Sequence, residues 1–277
     1  MNMQNTIKKS VNLSGIGLHT GVEAEVMLKP LEAGQGVQFV RSDKKNGLIP
    51  LKPEVVVETN LCTKIANEEG VLAQTIEHLF AALHGMGIDN IRIELDGPEV
   101  PILDGSALPW VELLEKAGIE KQTCEKNFFY APTKIFELAN SSTASVEANS
   151  DALKISVEAS FPVQGLEKMQ ATWQITPEVF KKEIAPARTF CLKRDVDRLL
   201  EAGLIKGGTL DCAVVFDDNG QPVNPEGLRF SDEPLRHKVL DVIGDLFLLG
   251  RPIRGNFSIP TPGHGTNNQI LRQITNH

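Results

Sequence analysis

The sequence predicts an α+β protein of two similar halves, each a mainly antiparallel sheet layered against a pair of helices, with the site where the halves meet. Three observations predict it. Stretches that alternate polar with apolar residues, rich in Val in the first half, fill the first part of each half. In each half the apolar period then lengthens to that of a helix. Both halves close in the same order of helix, strand, loop and helix, an internal repeat of element order without strong residue identity.

In the first half, VEAEVMLKP, GVQFVRS and LKPEVVVET read as strands within residues 6–60. From Gln74 the period changes: Ile76, Leu79, Phe80 and Leu83 recur at helical spacing, and Gly85 and Gly87 close a helix of about three turns. A strand (NIRIELDG), a loop (PEVPILDGSA) and a second helix (LPWVELLEKAG) follow. Residues 121–127 read as a linker, which places one domain at 1–124 and another at 125–277. The second half opens with strands KIFELAN, TASVEAN and ALKISVEASF. It ends with helix EPLRHKVLDVIGDLFLLG, strand GNFSIPTPG and helix NNQILRQIT.

Composition excludes several classes. With 41% hydrophobic and 23% charged residues, the chain is neither disordered nor fibrous. No apolar stretch approaches the ~20 residues of a membrane helix, and MNMQNTIKKSVNL lacks the apolar core of a secretory signal, so a cytoplasmic protein without a membrane span is expected. A net charge of −8 opposes nonspecific binding to nucleic acid. Cys62, Cys124, Cys191 and Cys212 form no CxxC pair, as expected of reduced thiols. An anionic small substrate would need a local cationic pocket, for which Lys238 and Arg188 are placed beside the motifs below.

The sharpest chemical signal is His237-Lys-Val-Leu-Asp241, because side chains four apart on a helix share a face and can grip one ion. Imidazole with carboxylate suits zinc or ferrous iron better than magnesium. Asp245 extends the stripe by a turn. The competing reading is an amphipathic helix that shows these charges to water. Glu77-His78 lies in a helix whose other faces are apolar. Neighbours on a helix diverge by about 100°, so His78 can complete an open three-ligand site while Glu77 reaches the water beside it. Alone, that pair reads more readily as one the helix merely exposes. Gly263-His264-Gly265 offers a histidine in a glycine-lined loop, able to act as general acid or simply a turn residue. His19, in SGIGLHTG, sits in a similar turn. His84 and His277 carry no predicted role.

Together SGIGLHTG (14–21), TIEHLFAAL (75–83), PILDGSALPW (101–110), ARTF (187–190), RHKVLDVIGDL (236–246) and GHGTNN (263–268) resemble the UDP-3-O-acyl-N-acetylglucosamine deacetylases of lipid A synthesis in Gram-negative bacteria, in the family's order over nearly the whole chain. The resemblance implies one zinc per chain, with iron an alternative in the cell, held by His78, His237 and Asp241. It implies Glu77 as general base, His264 as acid for the leaving amine, Asp245 as the carboxylate that orients or charges it, and Thr189 as oxyanion donor. Phe190 and Lys238 are implied to contact the sugar and its phosphate side, and Leu18, Cys62, Leu192 and Leu210 to contact substrate, with an acyl passage along 192–215. Leu199, Leu200, Leu204 and Ile205 in that segment fit either a passage or plain core, and Lys193 and Lys206 place cationic ends near it. At about 0.8 kcal/mol per methylene, ten methylenes of an acyl chain would contribute about 8 kcal/mol before ordering costs. The implied partner is the acylated UDP-sugar and the implied state a monomer. Some relatives carry a fused dehydratase domain; this chain stops just after its last predicted helix, as an unfused member or a trimmed fusion would. Two other readings share these motifs: a zinc amidohydrolase for another N-acyl compound, and a silent binding homologue. The latter would be expected to have lost one of Glu77, His78, His237, Asp241 or His264, and none is missing.

Overall fold

The computed structural model describes residues 2–138, 142–149, 151–161 and 166–275. The end of the predicted strand 134–140 and His277 lie outside the described residues. In chain order the first half comprises β1 (Met3–Ile7), β2 (Val11–Ile16), β3 (Glu23–Pro30), β4 (Val37–Arg41), β5 (Leu48–Ile49), β6 (Val56–Glu58), β7 (Lys64–Ala66), β8 (Leu72–Gln74), α1 (Glu77–Gly85), β9 (Ile91–Leu95), α2 (Leu108–Ala117) and β10 (Ile119–Glu125). The second comprises β11 (Phe129–Tyr130), β12 (Lys134–Glu137), β13 (Thr143–Glu147), β14 (Leu153–Ala159), β15 (Met169–Ile175), α3 (Pro177–Val179), β16 (Phe190–Leu192), α4 (Lys193–Glu201), β17 (Val214–Phe216), α5 (Glu233–Leu246), β18 (Ile253–Ile259) and α6 (His264–Thr275).

The class is α+β, as the sequence predicts. Two larger sheets run β2-β3-β9-β4-β5 and β12-β13-β18-β14-β15. They match strand for strand in pairing sense. β9 is antiparallel to β3 and parallel to β4, and β18 is antiparallel to β13 and parallel to β14. Parallel neighbours need a long crossover, and each crossover carries the helix that bears chemistry, α1 in one half and α5 in the other. The alternation read from the sequence is the alternation of burial: β9 and β18 bury every second residue.

α1 and α5 pack against each other at close range. At Gly244 there is no room for a Cβ, which would lie 3.0 Å from the Glu77 Cα and closer still to its carbonyl. Both helices are buried nearly all round, so the polar groups on them are buried too. His237, Asp241 and Asp245 are each 2% exposed, which overturns the solvent-facing stripe. One continuous apolar cluster runs through both sheets and these helices, with Phe80 edge-on to Phe39 and to Phe247.

Some expectations about elements give way. The predicted linker is mostly β10, paired with β1 (Ile7 opposite Ile119). Its seven residues include no fully buried one, so no period-2 pattern marked it. LKPEVVVET is not one strand, because Pro53 opens a 3₁₀ turn at Pro53–Val55 before β6. The helix predicted from Gln74 starts at Glu77, since Thr75 is held at φ 57°. His264 is the first residue of α6 and not a loop residue. No helix among the described residues is long and apolar enough to cross a membrane.

Candidate metal centre and active site

Because α1 crosses α5, His78 meets the His237–Asp241 turn. The two imidazoles stand edge to face with centroids 4.9 Å apart. One potential ligand atom from each of His78, His237 and Asp241 lies within 4.8 Å of the others. The Ala187 carbonyl accepts a hydrogen bond from His237 Nδ1 (3.0 Å), so Nδ1 carries the proton and Nε2, 3.4 Å from Asp241 Oδ1, keeps its lone pair. His78 Nδ1 and Asp241 Oδ1 are buried with no hydrogen-bond partner among the described residues. Buried polar atoms without partners are costly, and a cation among them would satisfy them.

The protonation states agree. Burial, then the neighbouring His237, lowers His78 to about 3, and burial lowers His237 as well. Burial alone would raise Asp241, but Lys238, His237, His264 and His78 outweigh it and hold the carboxyl below the usual carboxylate range. Two neutral imidazoles and one carboxylate make a donor set that fits zinc or ferrous iron and does not suit magnesium. Lys238 Nζ donates to Asp241 Oδ2 (2.9 Å) and lies 5.5 Å from the Phe190 ring centroid.

Beside this cluster a second set is linked by hydrogen bonds. Glu77, 2% exposed, places Oε1 3.8 Å from His264 Nε2. His264 Nδ1 donates to Asp245 Oδ2 (2.9 Å), which also accepts from Asn267 Nδ2 (2.8 Å). Burial pushes Glu77 up to about 8, with Asp245 and Asp241 adding to it and His264 opposing. Burial alone would lower His264, but the charges of Asp245, Glu77 and Asp241 outweigh it and lift the imidazolium to about 10. The pair can therefore hold a proton acceptor and a proton donor side by side.

Glu77, His78, His237, Asp241 and His264 line a cavity of about 270 Å³, which Thr189 and Lys238 also line, while Asp245 and Asn267 lie behind it. It shares Leu18, His19, Leu61, Thr189 and Phe190 with an apolar cavity of about 390 Å³, whose far wall includes Val196, Leu199, Leu200, Ile205 and Leu210. Within 192–215, Leu199, Leu200, Ile205 and Leu210 thus line a cavity, while Leu204 lines neither cavity and Lys193 lines the apolar one. Leu192 does not line either. It packs on the small cluster of Leu166, Val214 and Phe216, and Cys191, on the opposite face of β16, takes the lining place. Cys62 lines neither cavity; it is 4% exposed, and burial, then the Glu77 charge, pushes its thiol up to about 12.

The loop at the cavity mouth is fixed by Glu99, which is fully buried. Its carboxylate accepts from the backbone N–H of His19 and Thr20 and from the hydroxyls of Thr20 and Thr75 (2.7–3.1 Å). His19 is thereby held with both ring nitrogens buried and unpartnered among the described residues. The ARTF segment is fixed by Arg188, whose guanidinium bonds the fully buried Glu233 at the start of α5 (2.8 and 3.2 Å), so this cation is spent on the fold. Sequence reasoning missed Glu99, Asn267 and the Ala187 carbonyl, whose contacts join residues tens of positions apart. His84 stacks on Phe247 and bonds the Ile243 carbonyl (2.9 Å), away from both cavities.

The family model described as UDP-3-O-acyl N-acetylglycosamine deacetylase matches residues 4–276. Curated proteins named UDP-3-O-acyl-N-acetylglucosamine deacetylase are similar along the same length. That of Vibrio vulnificus (strain YJ016) is 42% identical over 273 residues, covering 98% of this chain and 89% of that protein. Those of Vibrio parahaemolyticus and Pasteurella multocida are each 41% identical with the same coverage.

Proposed function

The chain belongs to the UDP-3-O-acyl N-acetylglycosamine deacetylase family, and from that premise we propose that it hydrolyses the N-acetyl group of UDP-3-O-(3-hydroxyacyl)-N-acetylglucosamine in lipid A biosynthesis, with zinc, to give the free amine and acetate. The observation that carries this reading is the buried His78–His237–Asp241 cluster, its orphaned atoms set beside the Glu77–His264 pair on one cavity. In this reading residues 1–124 supply Glu77 and His78, and residues 125–277 supply the rest.

His78, His237 and Asp241 would hold the ion, zinc or ferrous iron, which when bound polarises a carbonyl and lowers the pKa of water. Glu77 receives the proton of the attacking water. A carboxylate can do so only when ionised, and burial makes it a stronger base than an ordinary one. Thr189, on the shared wall of the cavities, donates to the oxyanion that develops on the acetyl carbonyl oxygen as water attacks the carbon, a contact worth about 3 kcal/mol in comparable sites. Asp245 holds the His264 Nδ1 proton, so Nε2 is the nitrogen that delivers a proton to the departing amine as the C–N bond breaks. Lys238 and Phe190 lie on the wall where the sugar and its phosphates would rest, and the apolar cavity with Leu18 and Leu210 would take the acyl chain. The cytoplasm, where UDP-sugars are found, is the compartment this reading requires.

The test is Glu77→Gln. The amide keeps shape and cannot accept the proton, so the variant is expected to retain one zinc per chain and to lose at least ~10²-fold in turnover on the acylated UDP-sugar. Full turnover would remove Glu77 from the reaction, and loss of zinc would make it a ligand.

A further inference from the structure

Thr63, just before β7, spends every polar group it has. Its N–H donates to Glu77 Oε2 (3.1 Å), its hydroxyl donates to Asp245 Oδ1 (2.5 Å), and its carbonyl accepts from Thr75 N–H (3.1 Å). It is 1% exposed, so water cannot replace any of these bonds. Glu77 comes from α1 and Asp245 from α5, 182 residues along the chain from Thr63. One small residue thus touches the side chains of both carboxylates that flank His264.

The direction of the bonds settles the roles. An ionised carboxylate only accepts, so the Thr63 hydroxyl must be the donor to Asp245. With Oδ1 occupied by Thr63, Oδ2 is left for His264 Nδ1 and Asn267 Nδ2, and all three bonds fix the rotation of the carboxylate plane. On the other side, the Thr63 N–H occupies Glu77 Oε2 and leaves Oε1 as the oxygen nearer His264 Nε2. Thr63 belongs to the segment β6-β7-β8, which has no three-stranded counterpart among the described residues of the second half and whose sheet is separate from the larger ones.

We propose that Thr63 is a positioning residue for deacetylation, setting the Asp245–His264 pair and the Glu77 carboxylate in register with each other across α1 and α5. It acts through these groups and does not itself touch substrate. The proposal rests on the assignment of Glu77 as base and His264 as acid.

Thr63→Val removes the hydroxyl and keeps the shape, and Thr63→Ser keeps the hydroxyl. In the zinc-loaded full chain, Thr63→Val is expected to lower kcat about tenfold or more with KM within about twofold and zinc content unchanged, as removal of an orienting partner generally does. Thr63→Ser is expected to restore kcat to within about threefold of the native enzyme, because the orienting bond is retained. A second readout needs no turnover: the downfield proton resonance of His264 Nδ1–H should shift in Thr63→Val and stay in place in Thr63→Ser. Should the valine variant fail to fold, Thr63→Ala removes the same hydroxyl with less bulk and carries the same expectations. An unchanged kcat and an unmoved resonance in the valine variant would overturn the proposal, as would a serine variant impaired as much as the valine one. Glu77→Gln and His264→Ala run in the same assay separate the two levels. If they keep turnover, the base and acid assignment fails, and the resonance still decides the Thr63 contact.

Discussion

Replacing Gly244 by alanine sets two opposed effects against each other, and the structure decides between them. Within an isolated helix the change would help by about 1 kcal/mol, because glycine is a poor helix former. At the crossing of α1 and α5, however, the new methyl would meet Glu77 backbone atoms, with the Cα at 3.0 Å and the carbonyl nearer. Backbone cannot rotate away, so the helices must part by about 1 Å, and overpacking of a core typically costs 1–3 kcal/mol, here taken at about 3. The net expectation is a loss of about 2 kcal/mol, or roughly 3–4 °C in Tm for a chain of this size. Glu77 and His78 start α1 and move with it, and a 1 Å misplacement in an active site costs on the order of 10²-fold in turnover. Calorimetry, zinc content and kcat on the acylated UDP-sugar measure the three effects. Gly263→Ala, where an added methyl meets nothing within 4 Å, is the control and should be near neutral in stability. A Gly244→Ala variant as stable and as active as the native chain would refute the close crossing and the placement of Glu77 that depends on it.

Three further outcomes are expected. kcat/KM should rise with pH as Glu77, raised by burial to about 8, ionises, and fall as His264, held up to about 10 by its carboxylates, loses its proton; His264→Ala should depress kcat heavily at one zinc per chain, and near-normal turnover would leave Gly263-His264-Gly265 without a chemical role. His84 is neutral in the fold down to about 4 against 6.5 for the free group, so the unfolded chain takes up a proton that the folded one refuses. Stability is therefore lost as pH falls from 6.5 to about 4, by about 3 kcal/mol at about 1.4 kcal/mol per pH unit, and denaturant titrations should show a smaller acid loss in His84→Gln; an equal loss would sink the argument. Glu233→Ala removes the one fully buried carboxylate from the Arg188 guanidinium, leaving it the exposed Glu226 and the Gly227 carbonyl, and should cost about 3 kcal/mol, whereas Arg188→Met with Glu233→Leu should cost less; equal losses in denaturant midpoints would contradict a desolvated pair.

The sequence carried the chemistry wherever it was local. The four-residue spacing of His237 and Asp241 and the adjacency of Glu77 and His78 needed only a helix to become geometry, and the alternation in β9 and β18 needed only a sheet. What it could not carry was contact between distant segments. Thr63 and Asp245 are 182 positions apart, and nothing in LCTKIA marks a threonine as a partner of a carboxylate on α5. Burial was hidden for the same reason: a polar stripe on a helix looks alike whether it faces water or a second helix. β10 was missed because its mostly exposed residues show no alternation, although Ile119 packs on the core and Gln122 bonds Asn90 and the Leu31 carbonyl. His84, bland in sequence, is a packed and neutral imidazole because burial between the two halves outweighs the Ile243 carbonyl, which by itself would favour its proton.

The position of β18 in its sheet bears on how the protein is made. It lies between β13 and β14, yet among the described strands of that sheet it is made after all the others, at Ile253–Ile259, more than a hundred residues after β13. A nascent chain emerging from the ribosome must therefore hold β12 to β15 with a gap at the centre of the sheet, two unpaired strand edges open to neighbours, until Ile253–Ile259 has emerged. In the first half β9 fills the equivalent gap at Ile91–Leu95, so that sheet can be complete while most of the second is still unmade. A ribosome stalled before Ile253 would thus release a half-built sheet exposed to aggregation, and a chaperone that shields strand edges would find its substrate in that interval.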